Sequence, residues 1–158
     1  MIFVTVGSQK FPFDRLIRKV DQLVRDGIIE DEVFIQTGTS QYVPQCPHQA
    51  FCGQEHFAEL METCNILITH GGAGTMVNAV KQGKRVIAVP RLAQYGEHVD
   101  DHQMELAARL HALNLLCVCL DTELLPEALL SVRGRSFAPF RSNTEIFLAS
   151  LDSYIHSL

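Results

Sequence analysis

Short apolar runs alternate with amphipathic stretches along the whole chain. Ile2 to Val6 is near-continuously apolar and stops at Gly7-Ser8, which predicts a strand buried on both faces that enters a tight loop. Leu16, Ile17, Val20, Leu23 and Val24 then recur at helical spacing, with Asp21, Gln22, Arg25 and Asp26 off the stripe and Gly27 as a stop. Glu32 to Gln36 predicts a second strand, closed by Thr37-Gly38-Thr39-Ser40, and Gln41 to Gln49 a loop containing Pro44 and Pro47. A short strand over Gln49 to Cys52 precedes a helix from Glu55 to Thr63 with Phe57, Leu60 and Met61 inward. Asn65 to Thr69 is the next strand, followed by a glycine-rich loop and a helix from about Thr75 to Gln82.

Arg85 to Val89 reads as a strand ended by Pro90, Glu97 to Ala112 as a helix, Leu115 to Cys119 as the last strand, and Leu124 to Ser131 as a short helix. Ser142-x-x-Glu145 has the capping-box form for a final helix at about 143–157, with Phe147, Leu151, Tyr154 and Leu158 at helical spacing. About six strands separated by helices predict an α/β fold, a Rossmann-like parallel sheet with helices on both faces. Ligands of such sheets sit beyond the carboxyl ends of the strands. That rule gathers Gly7-Ser8, Thr37 to Ser40, Cys52-Gly53, His70 to Thr75 and Arg91 to Gln103 on one rim.

Composition narrows the class. At 158 residues, 47% apolar and 20% charged, the chain reads as one domain with a full core over 1–158. A net charge of −5 argues against nucleic acid as a partner. The five cysteines include no CxxC pair or zinc spacing, which predicts reduced thiols and a cytoplasmic protein, with Cys117 and Cys119 as small core residues. No basic signal-like start and no apolar run near the ~20 residues of a membrane span is present in the sequence.

Two loops carry candidate chemistry. In His70-Gly71-Gly72-Ala73-Gly74-Thr75, three glycines allow close backbone approach, and a following helix start offers unpaired N–H groups and a positive dipole end. That suits a diphosphate, with the Thr75 hydroxyl as a further donor; glycines placed for packing alone are the other reading. The dinucleotide pattern G-x-G-x-x-G fails at Val77, and Gly83-Lys84 is followed by Arg85 rather than Ser or Thr. The second loop, Tyr95 to Gln103, gathers Glu97, His98, Asp100, Asp101, His102 and Gln103 at a helix start. Such groups suit sugar hydroxyls. Alternatives are a metal held at the i,i+4 pair His98 and His102, or a solvated acidic helix start.

With those motifs in view, the sequence resembles the donor-binding half of nucleotide-sugar glycosyltransferases of the two-Rossmann-domain (GT-B) type, the glycosyltransferase family 28 C-terminal domain. The start Ile2-Phe3-Val4-Thr5-Val6-Gly7 and the stretch Pro90-Arg91-x5-Glu97 to Gln103 are similar to a narrower set. These are PssE-type bacterial exopolysaccharide and capsule transferase subunits, related to the catalytic subunit of the dolichol-linked N-acetylglucosaminyltransferase. The resemblance implies that Gly7 and Ser8 face the phosphates or reacting centre and that Phe51 and Cys52 meet the uracil edge. It implies that the His70-Gly71 turn leads into Gly72, Ala73, Gly74 and Thr75 on the diphosphate, with Asn78 near the ribose and His102 and Gln103 on the sugar.

The implied reaction is inverting transfer of a hexose from a UDP-sugar to a lipid-linked acceptor, with no metal or other cofactor; no Asp-x-Asp motif is present. Glu97 and His98 are the candidate general bases on this chain, and a partner polypeptide is a second source. A donor half alone implies a membrane-anchored partner subunit supplying the acceptor half, hence a peripheral position at the inner face of the membrane. The final helix is one docking candidate, and packing on its own sheet is the other reading. A UDP-sugar-binding or regulatory subunit without catalysis, and a sugar-nucleotide epimerase, are the rival functions.

Overall fold

The computed structural model describes residues 1–7, 12–70, 72–91 and 102–139. The expected helix at 143–157 lies outside them. Among these residues six strands form one parallel sheet: β1 (Ile2–Thr5), β2 (Val33–Gln36), β3 (His48–Gln49), β4 (Ile66–Thr69), β5 (Arg85–Ala88) and β6 (Cys117–Val118), in the order β3-β2-β1-β4-β5-β6. Among the described residues five α-helices accompany them: α1 (Asp14–Arg25), α2 (Gln54–Thr63), α3 (Ala73–Lys81), α4 (His102–Ala112) and α5 (Leu125–Gly134). The strand order is that of a Rossmann sheet, and the direction of winding reverses between β1 and β4.

The apolar runs are explained by burial on both faces. Ile2, Val4, Ile35, Ile66, Ile68 and Ile87 pack against Leu16, Ile17, Val20 and Leu23 of α1 and Leu125, Leu129 and Val132 of α5. The alternate positions Phe3, Leu67, Val86 and Ala88 face Leu60 and Met61 of α2, Met76, Ala79 and Val80 of α3, and Leu106, Ala107 and Leu110 of α4. Period-2 alternation therefore divides one strand between two cores. Cys117 and Cys119 are buried in the first of these.

The structure departs from the sequence reading at several points: β6 is only Cys117–Val118 within the expected Leu115 to Cys119, and α5 is Leu125–Gly134 rather than Leu124 to Ser131. The short strand is His48–Gln49, not Gln49 to Cys52, because its register is set by pairing Ile35 with His48 and Gln36 with Gln49. Helix α3 begins at Ala73, two residues early, where Gly72 supplies the extended turn (φ −72°, ψ 126°). Asp21, expected off the buried stripe, has no exposure at all.

Asp21 is buried because the β2–β3 connection has no helix and must be fastened by side chains. The Asp21 carboxylate accepts the Tyr42 hydroxyl at 2.6 Å and the backbone N–H groups of Gln45 at 3.0 Å and Cys46 at 3.3 Å. Asp14, seven residues earlier on the same face of α1, accepts the N–H groups of Gln41 and Tyr42, each at 2.8 Å. In return, the Ser40 hydroxyl accepts the Phe13 N–H at 2.9 Å at the start of α1. Loop and helix thus satisfy each other's polar groups.

Candidate functional site

The carboxyl ends of the strands carry a row of polar side chains where the apolar runs stop. Pairing aligns Gln36, Thr5, Thr69 and Ala88 across four strands. Gln36, Thr5 and Thr69 are 5%, 0% and 0% exposed, so their hydrogen bonds must come from the protein or from something bound. The Thr5 hydroxyl donates to the Gln36 side-chain carbonyl. The Thr69 hydroxyl has no hydrogen-bond partner among the described residues.

An unmet buried hydroxyl costs more than replacing it by a methyl of the same shape. Thr69→Val is therefore expected to leave the unliganded protein as stable as the parent or stabilise it by about 1 kcal/mol. Thr5→Val should instead destabilise it by about that much, since it strands the Gln36 amide. Thermal melts of the two variants check the pair; equal losses would contradict the assignment of the Thr69 hydroxyl.

Above this row, backbone segments meet around one imidazole. His70, 5% exposed, follows β4 directly. A Cβ on Gly7 would fall 2.6 Å from His70 Nε2, and one on Gly72 would fall 2.2 Å from His70 Cε1. The ring therefore sits between the backbone leaving β1 and the backbone entering α3. Gly7 also has φ +73°, and a Cβ on Gly38 would fall 2.9 Å from the Gly7 carbonyl oxygen. Three loops, after β1, β2 and β4, are drawn together at the reversal point between β1 and β4, where Rossmann sheets open their crevice.

Helix α3 starts from this contact with no side-chain cap and no acidic residue in its first turn. Its first N–H to find a helical acceptor is that of Met76, bonded to the Gly72 carbonyl at 3.1 Å. The amides ahead of it, with the positive end of the dipole, form a cradle for an anionic group. Gly74 is exposed, and a Cβ there would meet no atom within 4 Å, so the cradle is open on that side. Thr75 is half-buried in the first turn. Asn78, one turn on, is exposed, and its side-chain oxygen accepts from Gln82 Nε2 at 3.3 Å.

Phe51 and Cys52 lie between β3 and α2 at the same edge of the sheet. Phe51 is 53% exposed, and Cys52 is half-buried against the α2 core. His102 and Gln103 open α4, which follows β5 as α3 follows β4, so the topology brings the first turns of both helices to one edge. The side chains of Ala73, His102 and Gln103, and all of Ser8, Gly71, Glu97 and His98, lie outside the described residues.

No group of three or more His, Cys, Asp or Glu side chains that could hold a metal is present among the described residues. The cysteines are thiols at neutral pH: burial pushes Cys46 and Cys119 up to about 11, Cys46 with help from its bond to Asp21. Nucleophilic thiolate chemistry is thus disfavoured there. No helix of the described residues is long and apolar enough to cross a membrane.

The sequence reading places Gly38 on the rim, within Thr37 to Ser40, but names none of Thr5, Gln36 or Thr69 as a binding residue. The signal was present, since each polar side chain ends or follows an apolar run. A cleft of about 640 Å³ also lies at the opposite, amino edge of the sheet, lined by Met1, Val24, Arg25, Glu32, Phe34 and Leu60 among others.

Comparison with known proteins agrees with this geometry. The mouse protein named UDP-N-acetylglucosamine transferase subunit ALG13 is 24% identical over 184 aligned residues, covering 99% of this chain and 15% of the mouse protein. The chain therefore spans a small part of that relative's length. An NMR solution structure of ALG13 superposes with a TM-score of 0.63 at 18% identity, covering 98% of this chain and 96% of that one. The crystal structure of the glycotransferase of kitacinnamycin gives a TM-score of 0.61 at 12% identity, covering 99% of this chain and 39% of the other. These likenesses establish the fold. The model of the glycosyltransferase family 28 C-terminal domain matches residues 1–156, and with the sheet order and the glycine-lined helix start in place, the chain belongs to that family.

Proposed function

We propose that this chain is the catalytic subunit of an inverting glycosyltransferase that moves a hexose from a UDP-sugar to a lipid-linked acceptor. The observation that carries the reading is the uncapped, glycine-lined start of α3 in a chain matched by the family 28 model over 1–156. In this reading the diphosphate lies on the amides of Gly72 to Thr75, and Gly7 and Ser8 approach it from the end of β1. Phe51 and Cys52 border the uracil, Asn78 the ribose, and His102 and Gln103 the sugar.

Negative charge grows on the departing UDP as the glycosidic bond breaks. Fixed N–H groups and the helix dipole stabilise that charge without reorganising, so no metal is required by this account. Inversion also needs a base on the acceptor hydroxyl, and Glu97 or His98 is assigned to it, unless a partner chain provides it.

The word "subunit" in the name of the mouse relative supports a heteromeric enzyme, and that name supports UDP-N-acetylglucosamine among the donors to be tried. The narrower assignment is a PssE-type subunit of exopolysaccharide or capsule synthesis, cytoplasmic and held at the inner membrane face by its anchored partner. The test is transfer of labelled sugar from a panel of UDP-sugars to lipid acceptor, with the chain alone and with membranes containing the partner. Transfer from one donor that depends on both chain and membranes supports the assignment. UDP-sugar binding without transfer under every condition would favour the non-catalytic alternative.

A further inference from the structure

Arg91 stands immediately after Pro90 at the carboxyl end of β5, yet it is 1% exposed and among the largest fully buried side chains. The sequence pattern places it on the rim of the site. The structure instead turns it inward, against Val6 after β1 and Pro12 and Phe13 before α1. Its Nη2 donates to the Val6 carbonyl, and its Nη1 donates to the Pro12 carbonyl at 3.4 Å. The guanidinium carbon lies 5.0 Å from the centroid of the Phe13 ring.

Arg15 approaches the same ring at 5.4 Å and donates to the carbonyls of Pro90 at 3.3 Å and Leu120 at 3.1 Å. The end of β1 and the start of α1 are thus fastened to the far strands through arginine–carbonyl bonds around one aromatic ring. A guanidinium is suited to this because its planar fork reaches two acceptors in fixed directions while its face lies on a ring. A lysine ammonium has neither property.

We propose that Arg91 is a positioning residue for the donor site. Val6, whose carbonyl it holds, precedes Gly7; Gly7 backs the His70 imidazole; His70 backs Gly72, from which the N–H groups of α3 emerge. Contact is continuous along this path, so the guanidinium sets how closely the β1 backbone and the α3 start approach each other. The inference rests on the donor-site reading above and adds a residue that lies one layer behind the anion cradle.

The test uses Arg91→Lys, which keeps the charge and loses the fork, with Phe13→Leu as a second variant that keeps the guanidinium and loses its ring. Amide exchange followed by NMR on the unliganded chains reads the position of Gly7 and Phe13, and calorimetry with UDP reads the site. Arg91→Lys is expected to speed exchange at Gly7 and Phe13 but not at Leu67, and to weaken UDP binding about tenfold. Phe13→Leu should move both in the same direction by less.

A purely structural role would lower the melting temperature and leave the UDP affinity of the folded protein unchanged. That result overturns the proposal. If the parent chain itself binds no UDP, the donor reading falls, and unchanged exchange at Gly7 and Phe13 in Arg91→Lys would then refute the clamp separately. Accelerated exchange there would support it.

Discussion

Replacing Gly72 by alanine is expected to destabilise the protein by about 1–3 kcal/mol and to slow sugar transfer on the order of a hundredfold. The added Cβ would fall 2.2 Å from Cε1 and 2.9 Å from Nε2 of the His70 ring, too close for either to stay in place. The ring is backed on Gly7, so it cannot retreat, and the start of α3 must move instead. A shift there displaces the amides assigned to the departing diphosphate.

The clash also predicts a specific rescue. In a His70→Ala background the ring is gone, and Gly72→Ala should cost little further stability. Gly7→Ala behaves differently, because its φ of +73° strains any L side chain whatever the space. In the same background it should keep a residual cost of about 1–2 kcal/mol. Urea unfolding of the four variants measures both terms. Additive costs for Gly72→Ala and His70→Ala would show that the two residues do not press on each other.

Asp21→Ala carries the second large expectation, a loss of roughly 3 kcal/mol, or about 6–12 °C in melting temperature. The substitution leaves the Tyr42 hydroxyl and the Gln45 and Cys46 N–H groups without their acceptor, and releases the β2–β3 connection from α1. Burial is the largest single influence on this carboxyl and opposes its ionisation. The bonds from Tyr42, Cys46 and Gln45 together outweigh it and hold the group below the ordinary aspartate value of 3.8.

The sign of the pH dependence follows from that direction. A carboxyl whose folded value is depressed contributes stability that is present above its unfolded value and lost as pH falls through the folded one. The parent should therefore lose stability below about pH 4, and Asp21→Ala should lose less over that interval. Equal acid sensitivity of the two proteins would contradict this assignment.

These two residues show where the sequence was informative and where it was not. The parallel sheet covered on both faces was legible because Ile2 to Val6, Asn65 to Thr69 and Arg85 to Val89 are apolar in a way that only strands buried on both sides require, whereas the strand order is seen in the structure alone. The His70 to Thr75 turn was legible because glycines clustered between a strand and a helix leave room for a close approach that any side chain would block. Asp21 was misplaced since helical periodicity treats any carboxylate off the stripe as solvated. Its burial depends on a loop that returns 21 to 25 residues later, a pairing no local pattern contains.

The register of β3 was missed for a related reason. His48 and Gln49 are exposed and polar, and only backbone pairing with β2, in register with Ile35 and Gln36, makes them a strand. The glycines at 7 and 72 were expected to admit a ligand. The structure adds that they first admit the imidazole of His70, and that Arg91, which the strand-end rule places on the rim, is buried.

The central claim is that UDP binds at the carboxyl edge of the sheet, on the start of α3. The most direct measurement is an NMR titration of the labelled chain with UDP. Shift changes are expected to concentrate at Gly7, Phe51, Cys52 and Gly72 to Thr75, and to be lost in Gly72→Ala. Changes confined to the opposite cleft, at Met1, Val24, Glu32 and Phe34, or no change at saturating UDP, would contradict it.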